Sequence, residues 1–169
     1  MSKKLISIVV PNYNEAATLD ELYERTTKVM QSLDKYDYEI VFFDDGSTDG
    51  SKQKIEELCN KDEHIKAVFY SKNFGYAKGT FYCFQQAKGD CAVILHADLQ
   101  NPPEEIPRLV EKWETGAQIV FGVKNQSREN KFVYFIRTLF YWVINNVFGV
   151  KMVPHATEFE LFDKSFIDI

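Results

Sequence analysis

The chain has 169 residues, of which 45% are hydrophobic and 27% charged, and its formal net charge is −5. This composition excludes a disordered chain and fits one globular domain over residues 1–169. The acidic balance argues against nucleic acid as a partner, because a nucleic-acid surface needs a basic stripe. Three cysteines without a C-x-x-C pair predict reduced core thiols and a cytoplasmic setting.

The first half of the chain alternates predicted strands and helices. Apolar residues 5–10 predict a buried strand. Residues 18–33 follow with apolar side chains on one helical face, and Thr18 has a glutamate three positions later, the spacing of a capping box. A second strand and a second helix are predicted at 38–44 and 51–60.

The second half continues the alternation. The predicted elements are a strand at 65–71, a helix at 76–89, a strand at 91–95, a helix at 103–115 and a strand at 118–123. Unbroken apolar strands that alternate with helices indicate an α/β fold with a mostly parallel central sheet and helices on both faces.

A polar cluster follows each of the first four predicted strands. The clusters are PNYNE at 11–15, DDGSTDGS at 44–51, NFGYAKG at 73–79 and HADLQNPP at 96–103. Ligands of open parallel sheets bind outside the carboxyl ends of the strands. We therefore expect the four clusters to converge on one crevice.

The residue types in these clusters indicate a nucleotide and a metal ion. Carboxylates that gather at one mouth repel one another unless a cation lies among them. His96, Asp98 and Gln100 occupy alternate positions, so an extended backbone would point them the same way toward Mg²⁺ or Mn²⁺. A nucleotide diphosphate would complete the metal's ligands. The Asp44–Asp45 pair can accept hydrogen bonds from a base and a ribose, and the small residues 46–47 would let the backbone approach the ligand.

Each cluster taken alone also fits a plain structural interpretation. The sequence DGSTD is ordinary turn and N-cap chemistry, and NPP is a common start of a helix. The motif FFDDGST suggests an aspartyl-phosphate phosphatase, but that chemistry needs D-x-D after the strand and position 43 is Phe. No G-x-G-x-x-G and no phosphate-binding P-loop motif is present.

Four stretches together resemble the family 2 glycosyltransferases, and most closely the polyprenyl-phosphate sugar transferases. They are SIVVPNYNEAATL, VFFDDGSTDGS, KNFGYAKGT and HADLQNPPEEIPRLVEKWETG. The resemblance implies a GT-A fold, a nucleotide-sugar donor, a divalent metal ion and inversion at the anomeric carbon. It implies that the nucleotide is bound by Pro11, Asn12, Tyr13, Asn14, Glu15, Asp44, Asp45, Asn73, Gly75, Lys78 and Ala97. It also implies metal binding by His96, Asp98 and Gln100, with Asp98 a catalytic residue as well.

The resemblance extends downstream with two departures. Glu158 falls where relatives have an aspartate that is the expected catalytic base, and Glu160 falls where they have arginine. Basic residues between these regions grip the acceptor phosphate in relatives, and the matching candidates here are Lys124, Arg128 and Lys131. A solvated loop is the alternative interpretation of these three residues.

Residues 131–150 are aromatic and aliphatic but are interrupted by Arg137 and by Asn145–Asn146, so they do not predict a membrane-spanning helix. They fit either a helix lying in a membrane interface or a core helix. Since the chain stops at FDKSFIDI, at the apparent start of another element, we expect a C-terminal truncation.

The sequence therefore predicts an inverting transferase that moves a sugar from a UDP- or GDP-sugar to a polyprenyl phosphate or a glycan. We expect it in the cytoplasm or at the cytoplasmic face of a membrane. The alternative is a degenerate transferase-like module that binds a nucleotide-sugar with little turnover.

Overall fold

The computed structural model describes residues 3–75, 82–123, 138, 140, 146 and 156–167. The strands are β1 (Lys4–Asn12), β2 (Tyr36–Asp44), β3 (Ile65–Phe69), β4 (Cys91–Ile94), β5 (Ile119–Val123) and β6 (Ala156–Asp163). The α-helices are α1 (Leu19–Ser32), α2 (Ser51–Lys61), α3 (Ile106–Glu114) and the short α4 (Lys164–Ile167). Residues 82–86 are helical as well, and a 3₁₀ turn at Pro103–Glu105 leads into α3.

The six strands form one sheet in the order β3-β2-β1-β4-β6-β5. The β1–β2, β1–β4 and β2–β3 pairs are parallel, so the carboxyl ends of these four strands lie at one edge. β6 pairs with β4 in the antiparallel direction. The predicted α/β class with a mostly parallel sheet is therefore confirmed, and β6 is a strand that the sequence interpretation missed.

Alternate residues of β1 face opposite sides of the sheet, and both sides are covered. Ile6, Ile8 and Val10 join the larger core, which α1, α2 and α3 complete. Val9 joins the smaller core on the other face, together with Cys83 from the helical residues 82–86. This two-sided burial explains why the central strands read as unbroken apolar runs. The three cysteines are free thiols, and two of them are buried as predicted.

The start of α1 differs from the predicted capping box. Thr18 is the N-cap residue, but its side chain makes no capping hydrogen bond. Its hydroxyl contacts the carbonyl oxygens of Glu15 and Ala97 instead, at 2.9 and 2.6 Å. Glu21, the expected partner in the box, pairs with Arg25 one turn further along. The hydroxyl therefore joins two loops and does not close the helix end.

The start and the end of α3 agree with the sequence interpretation. Pro107 lies in the first turn of the helix, where its missing N–H leaves no hydrogen bond unmade. Gly116 follows the helix with a φ of +95°, a conformation that favours glycine.

The contacts divide the chain into two compact units, residues 1–120 with 159–169, and residues 121–158. In the second unit, the Thr157 hydroxyl donates to the carbonyl oxygen of Gly122 at 3.0 Å. Most of the predicted interfacial segment 131–150 lies outside the described residues. Among the residues that the structure describes, no helix combines the length and the apolar character needed to cross a bilayer.

Candidate active site

A cavity of about 180 Å³ opens at the carboxyl ends of the parallel strands. Loops that follow β1, β2 and β4 contribute to its wall, and β3 contributes through Tyr70, the residue next to its end. The lining residues are Pro11, Asn12, Tyr13, Glu15, Phe43, Asp45, Tyr70, Cys83, His96, Ala97 and Asp98. Three of the four predicted polar clusters therefore meet at this cavity in the first unit, whereas no described residue of the cluster at 73–79 lines it.

The floor of the cavity is built by hydrogen bonds between the β1 and β2 loops. Asn12 is buried, and its amide nitrogen donates to the Asp44 carboxylate at 2.7 Å and to the Ser47 hydroxyl at 3.2 Å. The backbone N–H of Ser47 donates to the second Asp44 oxygen at 3.0 Å. Asp44 is only 2% exposed and does not line the cavity, so its carboxylate orients Asn12 and the turn that follows β2.

A second set of hydrogen bonds fixes the loop after β1. The Ser47 hydroxyl accepts from the backbone N–H of Asn14, whose own side-chain oxygen accepts from the N–H of Thr48. Asn14 has a φ of +56°, a left-handed conformation that asparagine tolerates better than most residues. Asn14 therefore joins the two loops and does not line the cavity itself.

Asp49 also acts on the loop framework. Its carboxylate accepts from the Ala16 N–H at 2.9 Å and from the Ser51 hydroxyl at 2.6 Å. Burial works against the charge, but the hydrogen bonds from Ser51 and from the backbone outweigh it and lower the pKa of Asp49. Of the five carboxylates in the four polar clusters, Glu15, Asp45 and Asp98 line the cavity, whereas Asp44 and Asp49 hold its loops.

Asp45 both lines the cavity and organises the loop after β3. Its two oxygens accept from the backbone N–H groups of Phe74 and Gly75, at 2.8 and 2.9 Å. The Gly75 N–H also reaches the side-chain oxygen of Asn73 at 2.9 Å. Asn73 and Gly75 thus support Asp45 and are not themselves part of the cavity lining.

Gly46 has a different role from the one expected. A Cβ at this position would lie 2.9 Å from the carbonyl carbon of Lys72 and 3.0 Å from the backbone nitrogen of Asn73, and the residue has a φ of +75°. The missing side chain therefore makes room for the loop after β3, not for a ligand.

The loop after β4 carries the predicted metal ligands. His96 and Asp98 line the cavity, but the backbone turns at residues 97–100, with Leu99 at a φ of +58°, so the argument from an extended backbone is wrong. The Gln100 N–H donates to the Asp98 carboxylate at 3.0 Å. Gln100 is exposed and does not line the cavity. In the part of the chain that the structure describes, no three His, Cys, Asp or Glu side chains are grouped closely enough to hold an ion by themselves.

The donor chemistry of this end of the cavity still fits a divalent cation. The Asp98 carboxylate and the His96 imidazole make a partial ligand set, which the oxygens of a bound diphosphate can complete. The predicted participation of Gln100 finds no support in the position of its side chain.

The inner wall of the cavity is apolar and was missed by the sequence interpretation. Phe43 and Cys83 are buried, and Tyr70 is partly buried beside them. Burial raises the pKa of Tyr70 to about 12 and raises that of the Cys83 thiol as well, so both side chains stay neutral near pH 7. Tyr70 directly follows the last residue of β3, which was the one available signal. Nothing in the sequence separated Cys83 from ordinary core positions.

Other predicted site residues lie elsewhere. Lys78, Lys124, Arg128 and Lys131 lie outside the described residues. Glu158 belongs to the second unit, where it lies in β6 with an exposed side chain.

Comparisons with solved structures identify the fold. The mannosyltransferase from Pyrobaculum calidifontis, solved in complex with GDP-Man and Mn²⁺, superimposes with a TM-score of 0.65 over 99% of this chain and 47% of its own, at 20% identity. Glucosyl-3-phosphoglycerate synthase from Mycobacterium tuberculosis, solved with UDP, gives 0.67 over 96% of this chain and 57% of its own, at 22% identity. The fold is therefore the GT-A fold of these glycosyltransferases.

Curated relatives are closer in sequence. The undecaprenyl-phosphate 4-deoxy-4-formamido-L-arabinose transferase of Pseudomonas fluorescens (strain SBW25) is 37% identical over 164 residues, 96% of this chain and 48% of that protein. The enzyme of the same name from Proteus mirabilis (strain HI4320) is 43% identical over 126 residues, 74% of this chain and 38% of that protein. The chain thus spans about half the length of the curated relatives it matches, or less. The profile of the family described as glycosyl transferase family 2 matches residues 7–166, and the chain therefore belongs to glycosyl transferase family 2.

Proposed function

We propose that this chain transfers a sugar from a nucleotide-diphosphate donor to a polyprenyl phosphate, with inversion at the anomeric carbon. The observation that carries the proposal is the cavity at the carboxyl ends of β1, β2 and β4, with carboxylates and an imidazole in its wall, in a family 2 chain. The acceptor class is inferred from relatives 37% and 43% identical, whose names specify undecaprenyl phosphate.

The two ends of the cavity suit different parts of the donor. Asp45 and the apolar wall of Phe43 and Tyr70 suit the nucleoside, because a carboxylate accepts from base N–H and ribose hydroxyl groups while a base packs against rings. Asp98 and His96 would hold a divalent cation, which when bound supplies positive charge to the leaving diphosphate. The residues of this chain orient the donor and keep its diphosphate beside that cation site.

The acceptor class decides how much proton transfer the reaction needs. A phosphate oxygen is largely anionic near neutral pH and can attack the anomeric carbon without a strong base, whereas a sugar hydroxyl needs one. We therefore assign Glu158 the role of general base when the acceptor is a glycan hydroxyl. When the acceptor is a lipid phosphate, its contribution to the rate is small. Lys124, Arg128 and Lys131 remain our candidates for binding the acceptor phosphate, and the cytoplasmic face of a membrane our proposed location.

A nucleotide-sugar-binding module with little turnover is the second candidate. His96 and Glu160 favour it, because the family resemblance implies an aspartate and an arginine at these two positions. Both candidates predict nucleotide binding, so turnover separates them.

Two measurements on the wild-type chain test the proposal. Calorimetric titration with UDP and GDP, with and without Mn²⁺, should show binding that the cation strengthens. Transfer of radiolabelled sugar from UDP- and GDP-sugars to undecaprenyl phosphate, beside a soluble glycan acceptor, should show turnover with the lipid. Binding without turnover on any acceptor would select the binding module, and no nucleotide binding would contradict both candidates.

A further inference from the structure

The loop that carries His96 and Asp98 is attached to helix α1 near its start. The Thr18 hydroxyl lies 2.6 Å from the carbonyl oxygen of Ala97 and 2.9 Å from that of Glu15. A hydroxyl has a single proton, so the two carbonyls share one donor, with Ala97 closer. Thr18 thus lies between the two loops that supply Glu15 and Asp98 to the cavity wall.

The far end of the same segment is attached to α1 a second time. Arg25 donates to both carboxylate oxygens of Glu104, at 2.9 and 2.7 Å, which is the bidentate geometry of a strong guanidinium–carboxylate pair. Glu104 lies in the 3₁₀ turn that precedes α3. The hydrogen bonds to Glu104 and then to Glu21 raise the pKa of Arg25, and the bond from Arg25 lowers that of Glu104.

Between these two attachments the backbone is strained. Leu99 has a φ of +58°, in the left-handed region that is unfavourable for an ordinary L-residue. Its side chain packs against the larger core. Such a conformation persists only when its surroundings hold it, and strain of this kind concentrates at functional sites. The loop is therefore held in a conformation that it would not adopt by itself.

We propose that Thr18 is a positioning residue for the cation-binding end of the cavity. Its hydroxyl holds the Ala97 peptide so that the flanking side chains, His96 and Asp98, face one bound diphosphate and its cation. This inference rests on the proposed function. Thr18 itself does not line the cavity and touches no reacting atom.

The test compares Thr18→Val with Thr18→Ser. Valine keeps the branched shape and removes the hydroxyl, whereas serine restores it. Calorimetric titration with UDP and GDP, in the absence and presence of Mn²⁺, gives the factor by which Mn²⁺ raises the affinity. Thr18→Val should reduce that factor about fivefold to tenfold, the effect of one lost hydrogen bond, and change the metal-free affinity less than about twofold. Thr18→Ser should recover the wild-type factor.

Thr26→Val is the matched control, because it makes the same chemical change within α1, the helix that begins directly after Thr18. The Thr26 hydroxyl is buried and has no hydrogen-bond partner among the described residues, so the Mn²⁺ factor should not change. Should Thr18→Val not fold, the surface variant Arg25→Gln takes its place, with an expected two- to threefold loss in the same factor.

Two outcomes would overturn the inference in distinguishable ways. A wild-type chain that binds nucleotide with a clear Mn²⁺ factor, and a folded Thr18→Val with the same factor, would contradict the role of Thr18 alone. A wild-type chain without nucleotide binding would contradict the proposed function and this inference with it.

Discussion

Asp45 is the residue at which the cavity and the loop framework meet. Its carboxylate lines the cavity, and both carboxylate oxygens accept hydrogen bonds from backbone N–H groups of the loop after β3. Asp44, one position earlier, is buried and faces Asn12 and Ser47. Adjacent aspartates of a single motif therefore have different surroundings, and their substitutions should have different consequences.

Asp45→Ala should weaken UDP or GDP binding roughly tenfold or more, because a hydrogen bond to a charged group is worth about 1.5–3 kcal/mol. Asp44→Ala should weaken binding to a similar extent and also lower the melting temperature more than Asp45→Ala, because it removes the acceptor of the partly buried Ser47 N–H and the nearer acceptor of the buried Asn12 amide. Calorimetric titration and thermal unfolding measure the two effects. Asp37→Ala, exposed on the same strand, is the control. Normal binding by both folded variants would remove this pair from the nucleotide site.

His96 decides the metal preference if it is a ligand. Relative to the aspartate that the family resemblance implies at this position, an imidazole removes a negative charge and offers a softer nitrogen, which suits transition metals better than Mg²⁺. We expect the wild-type chain to prefer Mn²⁺ over Mg²⁺ and His96→Asp to shift that preference toward Mg²⁺. Nucleotide titrations in each cation measure the ratio. An unchanged ratio in His96→Asp would mean that His96 contacts the nucleotide or water and not the metal ion.

At the scale of elements, β2 contains a buried charge that its apolar pattern hides. Glu39 is 2% exposed and accepts from the Ser7 hydroxyl and the Lys88 N–H, at 2.6 and 2.7 Å, while Lys66 pairs with its second oxygen. Burial disfavours the charge, but these partners outweigh it and lower the pKa of Glu39. The network connects β1, β2 and β3 at positions nearer their amino ends than the loops that follow them.

Glu39→Gln should destabilise the chain by about 1–3 kcal/mol near pH 7, because the amide NH₂ that replaces one carboxylate oxygen is a donor and cannot accept from the Lys66 ammonium. The folded-state pKa of Glu39 is depressed, so its contribution is fully present above the unfolded pKa of about 4.3 and is lost as the pH falls through the folded value. The difference between wild type and variant should therefore shrink in acid. Urea unfolding from pH 7 to 3 measures it, with Asp20→Asn in an exposed pair as the control. A constant difference across that range would contradict this account.

Glu158 in β6 separates the two acceptor classes. With a hydroxyl acceptor, Glu158→Gln should lower kcat by about 10²-fold or more while donor affinity survives. With a lipid-phosphate acceptor the loss should be smaller and fall mainly in the KM of the acceptor. Transfer kinetics with each acceptor measure both, and donor titration is the control for folding. Wild-type turnover by the variant would exclude Glu158 from the mechanism.

The elements also show how far the sequence could lead. The strands β1, β2 and β4 were predicted because both faces of the sheet are buried, so their sequences are largely unbroken apolar runs. β6 was missed although polar and apolar residues alternate from Glu158 to Leu161, and its antiparallel place beside β4 depends on long-range pairing that the sequence does not show. The polar clusters that contribute to the cavity were predicted because they follow strand ends. The double role of the Thr18 hydroxyl was not, because its partner Ala97 lies 79 residues away in sequence.

At the scale of the whole molecule, the charge is unevenly distributed along the sequence. The chain has a net charge of −5, but residues 124–150 contain four basic residues and one acidic residue, so the remainder carries −8. An anionic membrane would repel the chain as a whole and attract this segment. Any binding to such a surface should therefore depend on the basic residues of 124–150 and be sensitive to salt.

The membrane prediction follows from that asymmetry. If residues 131–150 lie in a membrane interface, the chain should sediment with anionic liposomes at low salt and be released at high salt. The attraction of each basic residue to the anionic surface is worth about 1 kcal/mol, and dissolved ions screen it. A Lys131→Gln, Arg137→Gln variant should bind more weakly, whereas Lys52→Gln, Lys54→Gln on α2 should not, because it removes the same charge elsewhere. Neutral liposomes separate charge from aromatic insertion. Absence of sedimentation at low salt would favour a core helix for this segment, and equal losses in the two variants would assign the attraction to overall charge.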